Sequence, residues 1–382
     1  VDAHRTTGTD LAGSRPAEPA AGPGRSRGRL RWLLVAAALA LVVVVVAVVR
    51  WTGDDPQPPV SAPPPPDAES PAPLTRADWQ GTGVGVFRKT DPEAVQGYEE
   101  WLGRPVELAV DFSSREDWRD ISRPQYQFDA WEGLPYRLVL GIAMLPDEVD
   151  ASLEAGARGE YDEYFQTLAE GLVDAGQEDA ILRIGWEFNL PSWVWSSEDE
   201  DTWVAYWRRI VDVMRSVDGE QFRFDWNVNN GPSRIDAVDY YPGDEYVDYV
   251  GVDAYDVTGA VYPIPDDCDQ ACADALRREA WRDEIYGGER GLRFWSEFAA
   301  QHDKQLSLPE WGVWERNDGI GGGDNPYYIE QMAEFIADPE NRVGYQAYFE
   351  NANSQGTHEL LGDDFPRARE RYLELFGGPE AG

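Results

Sequence analysis

The sequence predicts an α/β fold, a (β/α)8 TIM barrel over residues 76–378. Two observations carry this. Short apolar runs rich in Val, Ile, Phe and Tyr recur from Gly83 to Phe349. Between them lie stretches with apolar residues at helical spacing. Eight such alternations in about 300 residues are what closing a ring of parallel strands inside a ring of helices requires. The alternative, a doubly wound open sheet, would require a Gly-rich loop after an early strand, and none is present.

The elements follow in order. GVGVF (83–87) reads as the first strand and Asp91–Leu102 as its helix. VELAVDF (106–112) is the second strand, with a short helical stretch at 116–121. RLVLGIAML (137–145) is the third, and Tyr161, Tyr164, Phe165, Leu168 and Leu172 mark the helix after it. AILRIGWEF (180–188) is the fourth, followed by a helix carrying Trp203, Tyr206, Trp207, Ile210, Met214 and Val217. FRFDWNV (222–228) and YVDYVGVDAY (246–255) are the fifth and sixth. One long helix is expected up to Gln301, then QLSLPEW (305–311), a helix at 327–336, RVGYQAYF (342–349) and a closing helix at 367–376.

The chain before the barrel has a different texture. Residues 1–31 are polar and rich in Gly, Pro, Arg and Ala, and read as a disordered cytoplasmic tail. Residues 32–50 read as a transmembrane anchor, because Trp32 to Val49 is unbroken apolar sequence of ~27 Å helical length, about one bilayer core. Arg25, Arg27, Arg29 and Arg31 precede it, which places the N-terminus inside and the barrel outside the cell membrane, single-pass. A cleaved signal peptide is the rival reading, but Arg50 and Trp51 stand where small residues should be. Residues 51–75 are a Pro-rich, extended linker.

Composition narrows the chemistry. The chain has 33 Lys+Arg and 71 Asp+Glu, a net charge of −38. Residues 1–51 hold seven Arg and three acids, so the remainder carries 26 bases against 68 acids, a net of −42. A surface that acidic repels phosphate backbones, which excludes nucleic acid as a partner. Three His and two Cys make a multi-His or Cys-cluster metal site improbable, and no metal or cofactor is expected. Cys268 and Cys272 are expected to form a disulfide, given an extracytoplasmic barrel. Carboxylates, 16 Trp and 18 Tyr are abundant. Acids and aromatic platforms suit a polysaccharide or oligosaccharide partner.

Active sites of such barrels form at the C-terminal strand ends. Glu187 closes the fourth strand and Glu310 the seventh. Two carboxyls flanking a glycosidic bond are the minimal apparatus for its hydrolysis, one as acid and one as nucleophile. Taken singly, each could be a barrel-mouth acid paired with Arg. Asn227, Asn229 and Asn230 end the fifth strand, where sugar binding competes with turn chemistry. Trp193, Trp195, Trp226, Trp311 and Trp314 follow strand ends and are candidate sugar platforms, with barrel packing as the competing role. GIGGGD (319–324) lacks a following Lys and reads as a mobile lid. His302 and His358 lack a Ser or Cys partner.

ILRIGWEFNLPSWVW (181–195) resembles the acid/base segment of glycoside hydrolase family 26, retaining barrel enzymes best known as β-mannanases. Arg183, Glu187 and Asn189 match its pattern, and Trp186 stands where that family has His. YVDYVGVDAYD (246–256) is similar to the family's sixth strand, which makes Tyr255 the tyrosine bonded to the nucleophile. LSLPEWGV (306–313) resembles the nucleophile segment and implies Glu310 in that role. YQAYFEN (345–351) is similar to the eighth strand. The resemblance, over roughly residues 80–376, implies a retaining glycosidase cleaving a β-linked polysaccharide, mannan or similar. Glu187 and Glu310 are expected to be catalytic, and, from the resemblance and the strand ends together, Arg183, Trp186, Asn189, Trp193, Trp226, Asn227, Tyr255, Trp311 and Trp314 are expected to bind the substrate. Two alternatives stand beside it: a barrel that only binds glycan, and an enzyme trimming the cell's own exopolysaccharide or envelope glycan.

Overall fold

The computed structural model describes Trp79, residues 81–379 and Ala381. The barrel strands are β1 (Gly83–Phe87), β2 (Leu108–Phe112), β3 (Arg137–Ile142), β4 (Ile181–Ile184), β5 (Arg223–Asn229), β6 (Tyr249–Tyr255) and β7 (Gln305–Gly312). A two-residue β8 (Glu315–Arg316) lies outside the barrel, and β9 (Val343–Phe349) pairs with both β7 and β1 to close it. All eight barrel pairings are parallel. The register across the closure runs without a break from Gly83 opposite Tyr345 to Phe87 opposite Phe349.

The helices of the outer ring are α1 (Pro92–Leu102), α2 (Trp118–Ser122), α3 (Gln125–Trp131), α4 (Leu153–Ala157), α5 (Asp162–Asp174), α6 (Glu200–Arg215), α7 (Gln270–Glu279), α8 (Leu292–Gln301), α9 (Pro326–Ala337) and α10 (Pro366–Phe376). Their starts are written in the sequence. Asp91, Asp199, Asp269 and Asn325 each accept a hydrogen bond from a backbone N–H three residues on, which satisfies an otherwise orphaned donor.

The expected long helix before the seventh strand is in fact two. α7 runs into a wide π-type turn, Ala280–Ile285, and α8 starts after Gly287 and Gly288. The apolar spacing survives the break because Trp281, Ile285, Leu292 and Trp295 still face the barrel, so periodicity alone does not reveal it. The sequence reading also missed α3, α4 and a small antiparallel sheet of β8, β11 (Gly356–Thr357) and β10 (Ala352–Asn353). Strands of two residues carry no period to detect.

Strand alternation creates two cores. Leu182, Phe224, Trp226, Val250, Leu308 and Trp311 point outward into the layer under the helices. Leu108, Val110, Val139, Ile181, Tyr249 and Tyr345 fill the barrel interior. The interior also holds a buried acid. Asp225 accepts hydrogen bonds from Ser307 Oγ at 2.6 Å and from the Tyr345 hydroxyl, and burial pushes it up to about 6.

β7 departs from regular pairing where it matters. Gly251 faces Ser307 and Ala254 faces Trp311, so Leu308, Pro309 and Glu310 oppose only Val252 and Asp253. The same extra residue shows against β9, between the Leu308–Gln346 and Trp311–Tyr348 pairs. This is a β-bulge, and Pro309, which has no N–H to give a ladder, sits inside it. One extra residue inverts the alternation. Counting from inward Ser307, an even strand would turn Glu310 outward and Trp311 inward. The bulge turns Glu310 in and Trp311 out.

The expected Cys268–Cys272 disulfide is present, with a Cα separation of 5.4 Å. Among the described residues no helix is long and apolar enough to cross a membrane. The tail, the expected anchor at 32–50 and the linker at 51–75 lie outside the described residues.

Candidate active site

The chain leaves β4 through a tight turn. Gly185 has φ +60°, and a Cβ there would sit 2.5 Å from Met144 Sδ. Glu187 itself has φ +49°, uncommon for a residue with a side chain. Its neighbours hold it there. Glu187 N donates to Asn227 O at 3.2 Å, and Leu190 N donates back to Glu187 O at 2.8 Å. Trp195 Nε1 donates to Trp186 O at 3.1 Å and Trp207 Nε1 to Ile184 O at 3.0 Å. The turn ends the expected fourth strand at Ile184 and lifts the Glu187 carboxyl over the barrel mouth.

Glu187 is half-buried, and Asn229 Nδ2 donates to its Oε1 at 2.8 Å. Burial pushes its carboxyl up to about 7, and the charge of Glu310 adds to the rise. Asn229, Arg183 and the Trp193 indole offset part of it. Glu310 is buried on β7, and both of its oxygens accept. Arg183 Nη2 reaches Oε1 at 2.5 Å and the Tyr255 hydroxyl reaches Oε2 at 2.7 Å. That is the setting of a carboxylate rather than of a proton donor.

Beneath them lies a buried layer from β4, β5 and β6. Arg183 Nη2 also donates to Asp253 Oδ2 at 2.7 Å and Asn227 Oδ1 at 2.9 Å, and Asn227 Nδ2 donates to Asp253 Oδ1 at 3.1 Å. Burial opposes the Arg183 charge, but Asp253 and Glu310 more than offset it and raise its pKa. Burial, together with Glu310 and Glu187, holds Asp253 well above the usual carboxylate range, although Arg183 lowers it.

The structure thus gathers Glu187, Glu310, Arg183, Asn227 and Tyr255 into one constellation, with Asp253 and Asn229. Several expected substrate contacts are corrected. Trp226 points outward onto Phe188, Tyr241, Trp295 and Phe298, and Trp311 outward onto Tyr328, Tyr348, Tyr372 and Phe376. Neither has a free face for sugar. Arg183 and Asn227 are buried and engaged with protein acceptors. Asn189 uses its amide on the backbone of Asn229, donating to its O and accepting from its N, both at 2.9 Å.

Trp186, where His was expected, is buried, edge-on to Trp193 and tilted against Phe112 and Trp195. It fills wall rather than offering a polar group. Trp193 stacks on Trp195, with centroids 4.9 Å apart, and the Arg115 guanidinium lies 5.0 Å from its ring. Trp314 packs against Tyr255 in the inner cluster.

His358 was missed. Its ring packs among Tyr255, Trp314 and Phe349, and its Nδ1 faces Val313 O at 2.9 Å. Burial pushes it down to about 3, so it is neutral at pH 7. Its late-loop position carries no signal, because Tyr255 and Trp314 reach it from parts of the chain far from it in sequence.

The segment expected to be a lid is a strap. Arg277 Nε and Nη2 donate to Gly322 O at 3.0 and 2.8 Å, and Gly322 N donates to Asp256 O at 3.0 Å. Asp324 accepts from the backbone N–H groups of Arg367 and Ala368. A Cβ on Gly322 would meet Asp256 Oδ2 at 1.9 Å, so glycine serves close approach there, not motion.

A closed parallel barrel with two glutamates at its mouth, one raised by burial and one accepting from Arg183 and Tyr255, is the arrangement of the carboxylate-pair glycoside hydrolases. The model of glycosyl hydrolase family 26 matches residues 152–275, the stretch from α4 to α7 that contains Glu187 and Tyr255. The expected resemblance to that family is thereby shown over this stretch. It is 26% identical over 197 residues to Endoglucanase H of Acetivibrio thermocellus, covering 46% of this chain and 20% of that protein. It thus spans about a fifth of that relative's length. The barrel superimposes on a modular endo-β-1,4-mannanase from Cellulomonas fimi with TM-score 0.54, at 20% identity, over 79% of this chain and 72% of that one. It also superimposes on the catalytic domain of a Bacillus sp. JAMB-750 endo-β-1,4-mannanase, with TM-score 0.53, at 15% identity, over 79% and 87%. At such identities these likenesses show the fold.

Proposed function

We propose that the barrel is a retaining glycosidase that cleaves a β-linked polysaccharide by double displacement. One observation carries it: Glu187 is pushed up to about 7, whereas Glu310 accepts from Arg183 and Tyr255 on both oxygens. In the first step Glu187 gives its proton to the leaving oxygen while Glu310 attacks the anomeric carbon and the glycosidic bond breaks. In the second, Glu187, now a carboxylate, takes a proton from water. The water oxygen displaces Glu310 and releases the sugar. A carboxyl titrating near neutrality suits a group that must act as acid and then base.

The substrate is a neutral β-linked glycan of the mannan or glucan type, as the names of the relatives suggest. Trp186 in place of a polar residue favours a polymer other than the family's usual one. The Arg-flanked apolar run at 32–50 supports anchoring at the cell membrane with the barrel outside, where envelope or exopolysaccharide glycan is within reach.

The test is a hydrolysis screen on a glycan panel with wild type, Glu187→Ala and Glu310→Ala. Natural-glycan activity should fall by ~10²–10⁴ or more in both variants. Azide should give a glycosyl azide of retained configuration with Glu187→Ala and of inverted configuration with Glu310→Ala. Swapped products would exchange the two roles. A wild type that binds glycan without cleaving it would replace the enzyme with a binding barrel.

A further inference from the structure

We propose that Asn229 is a positioning residue that decides which oxygen of Glu187 carries the catalytic proton, and that Asn189 exists here to hold Asn229 in place. This deepens the proposed function and rests on it. A neutral carboxyl has one carbonyl-like oxygen and one hydroxyl oxygen. Asn229 Nδ2 donates to Oε1 at 2.8 Å, so Oε1 is the accepting oxygen and the proton stays on Oε2, free for the leaving group. Without that donor the proton would exchange between the two oxygens, and half of the acid would aim it away from the bond.

The geometry around Asn229 holds it in place. It is the last residue of β5, where a strand end would fray. Asn189, two residues beyond Glu187, grips its backbone from both sides with the paired 2.9 Å bonds. Asn230 N adds a bond to Asp253 O at 3.0 Å, and Asn230 Nδ2 one to Ile285 O at 3.0 Å. The segment that carries the acid therefore also carries the clamp that fixes the acid's partner. Of the charged groups facing Glu187, Glu310 raises its pKa and Arg183 lowers it, and the Trp193 indole acts with Asn229.

The donor assignment has a sign. An N–H given to Glu187 stabilises its charged form, so removing it must raise the pKa of the acid. If the amide were reversed, Glu187 would donate its proton to Asn229, and removal would lower the pKa instead. The experiment follows the Glu187 side-chain carboxyl by 13C NMR from pH 4 to 9 in wild type, Asn229→Ala and Asn189→Ala. It also measures kcat/KM against pH on a glycan and on an activated aryl glycoside.

In Asn229→Ala the midpoint should rise by about one pH unit, as the loss of one hydrogen bond implies. The alkaline limb should follow it. Glycan kcat should fall about twofold, the share of the acid that misdirects its proton, while the first step on the aryl glycoside, which needs little protonation, is spared. Asn189→Ala should show the same pattern at smaller amplitude. Asn229→Asp, of the same shape, should shift the midpoint further up by like charge and keeps the test open if Asn229→Ala does not fold. An unmoved or lowered midpoint, or an equal loss on both substrates, overturns the proposal. The NMR midpoint is read without turnover, so its failure is distinct from failure of the glycosidase reading.

Discussion

Replacing Arg183 by Met tests the buried layer most sharply. A single nitrogen, Nη2, serves Glu310, Asp253 and Asn227 at 2.5, 2.7 and 2.9 Å, with no exposure to water. Methionine fills much of the same space but leaves two buried carboxyls without their cation. Breaking a buried ion pair on one side costs ~3–5 kcal/mol. For a domain of about 300 residues, with an unfolding entropy of roughly 0.6 kcal/mol/K, that corresponds to a Tm loss of roughly 5–8 °C at pH 8. The loss should depend on pH, with a fixed sign. Carboxyls stripped of Arg183 have folded pKa values above their unfolded ones. Their stability is then fully present below about pH 4 and is lost as pH rises through the folded values. The deficit against wild type should therefore be small near pH 4–5 and complete at pH 8. Scanning calorimetry of both proteins at the two pH values measures it. An equal deficit at both pH values would refute the reasoning, because it would mean that Arg183 contributes packing rather than charge.

Other expectations follow from the same structure. Trp226→Ala should lose ~3–5 kcal/mol of stability, read by chemical denaturation, and leave KM unchanged, because the ring lies under the helices. A raised KM at unchanged stability would return it to the cleft. Asp225 and Asp256 are pushed up to about 6, and Glu187 and Glu350 to about 7, in each case first by burial. These raised carboxyls contribute stability below about pH 4 that is lost as pH passes through 6 and 7, so the wild-type Tm should fall from pH 5 to pH 8. A flat or rising Tm over that range would contradict it. Replacing Cys268 and Cys272 by Ser should cost about 2 kcal/mol or less, since the bridge closes a short loop. Two alkylated thiols in the unreduced wild type, seen by mass spectrometry, would remove the bridge itself.

Much of this molecule is legible from its order of residues. Strand and helix periods, Asp and Asn caps and the eightfold alternation specify a barrel, because each is a local preference repeated along the chain. The two glutamates follow from strand ends and from the family segments around them. Even the outward turn of Trp226 was available, since it alternates with inward Asp225 and Asn227. Trp311 was not. Its direction depends on the extra residue at Pro309–Glu310, and a bulge exists only relative to the strands that pair with it. The same holds for Asn189, whose polar group closes on a residue 40 positions away, and for His358, whose imidazole is pushed down to about 3 by burial among Tyr255, Trp314 and Phe349. What a residue tends to form is decided along the chain. Which way it faces, what it touches and where its proton resides depend on neighbours that arrive only when the barrel closes.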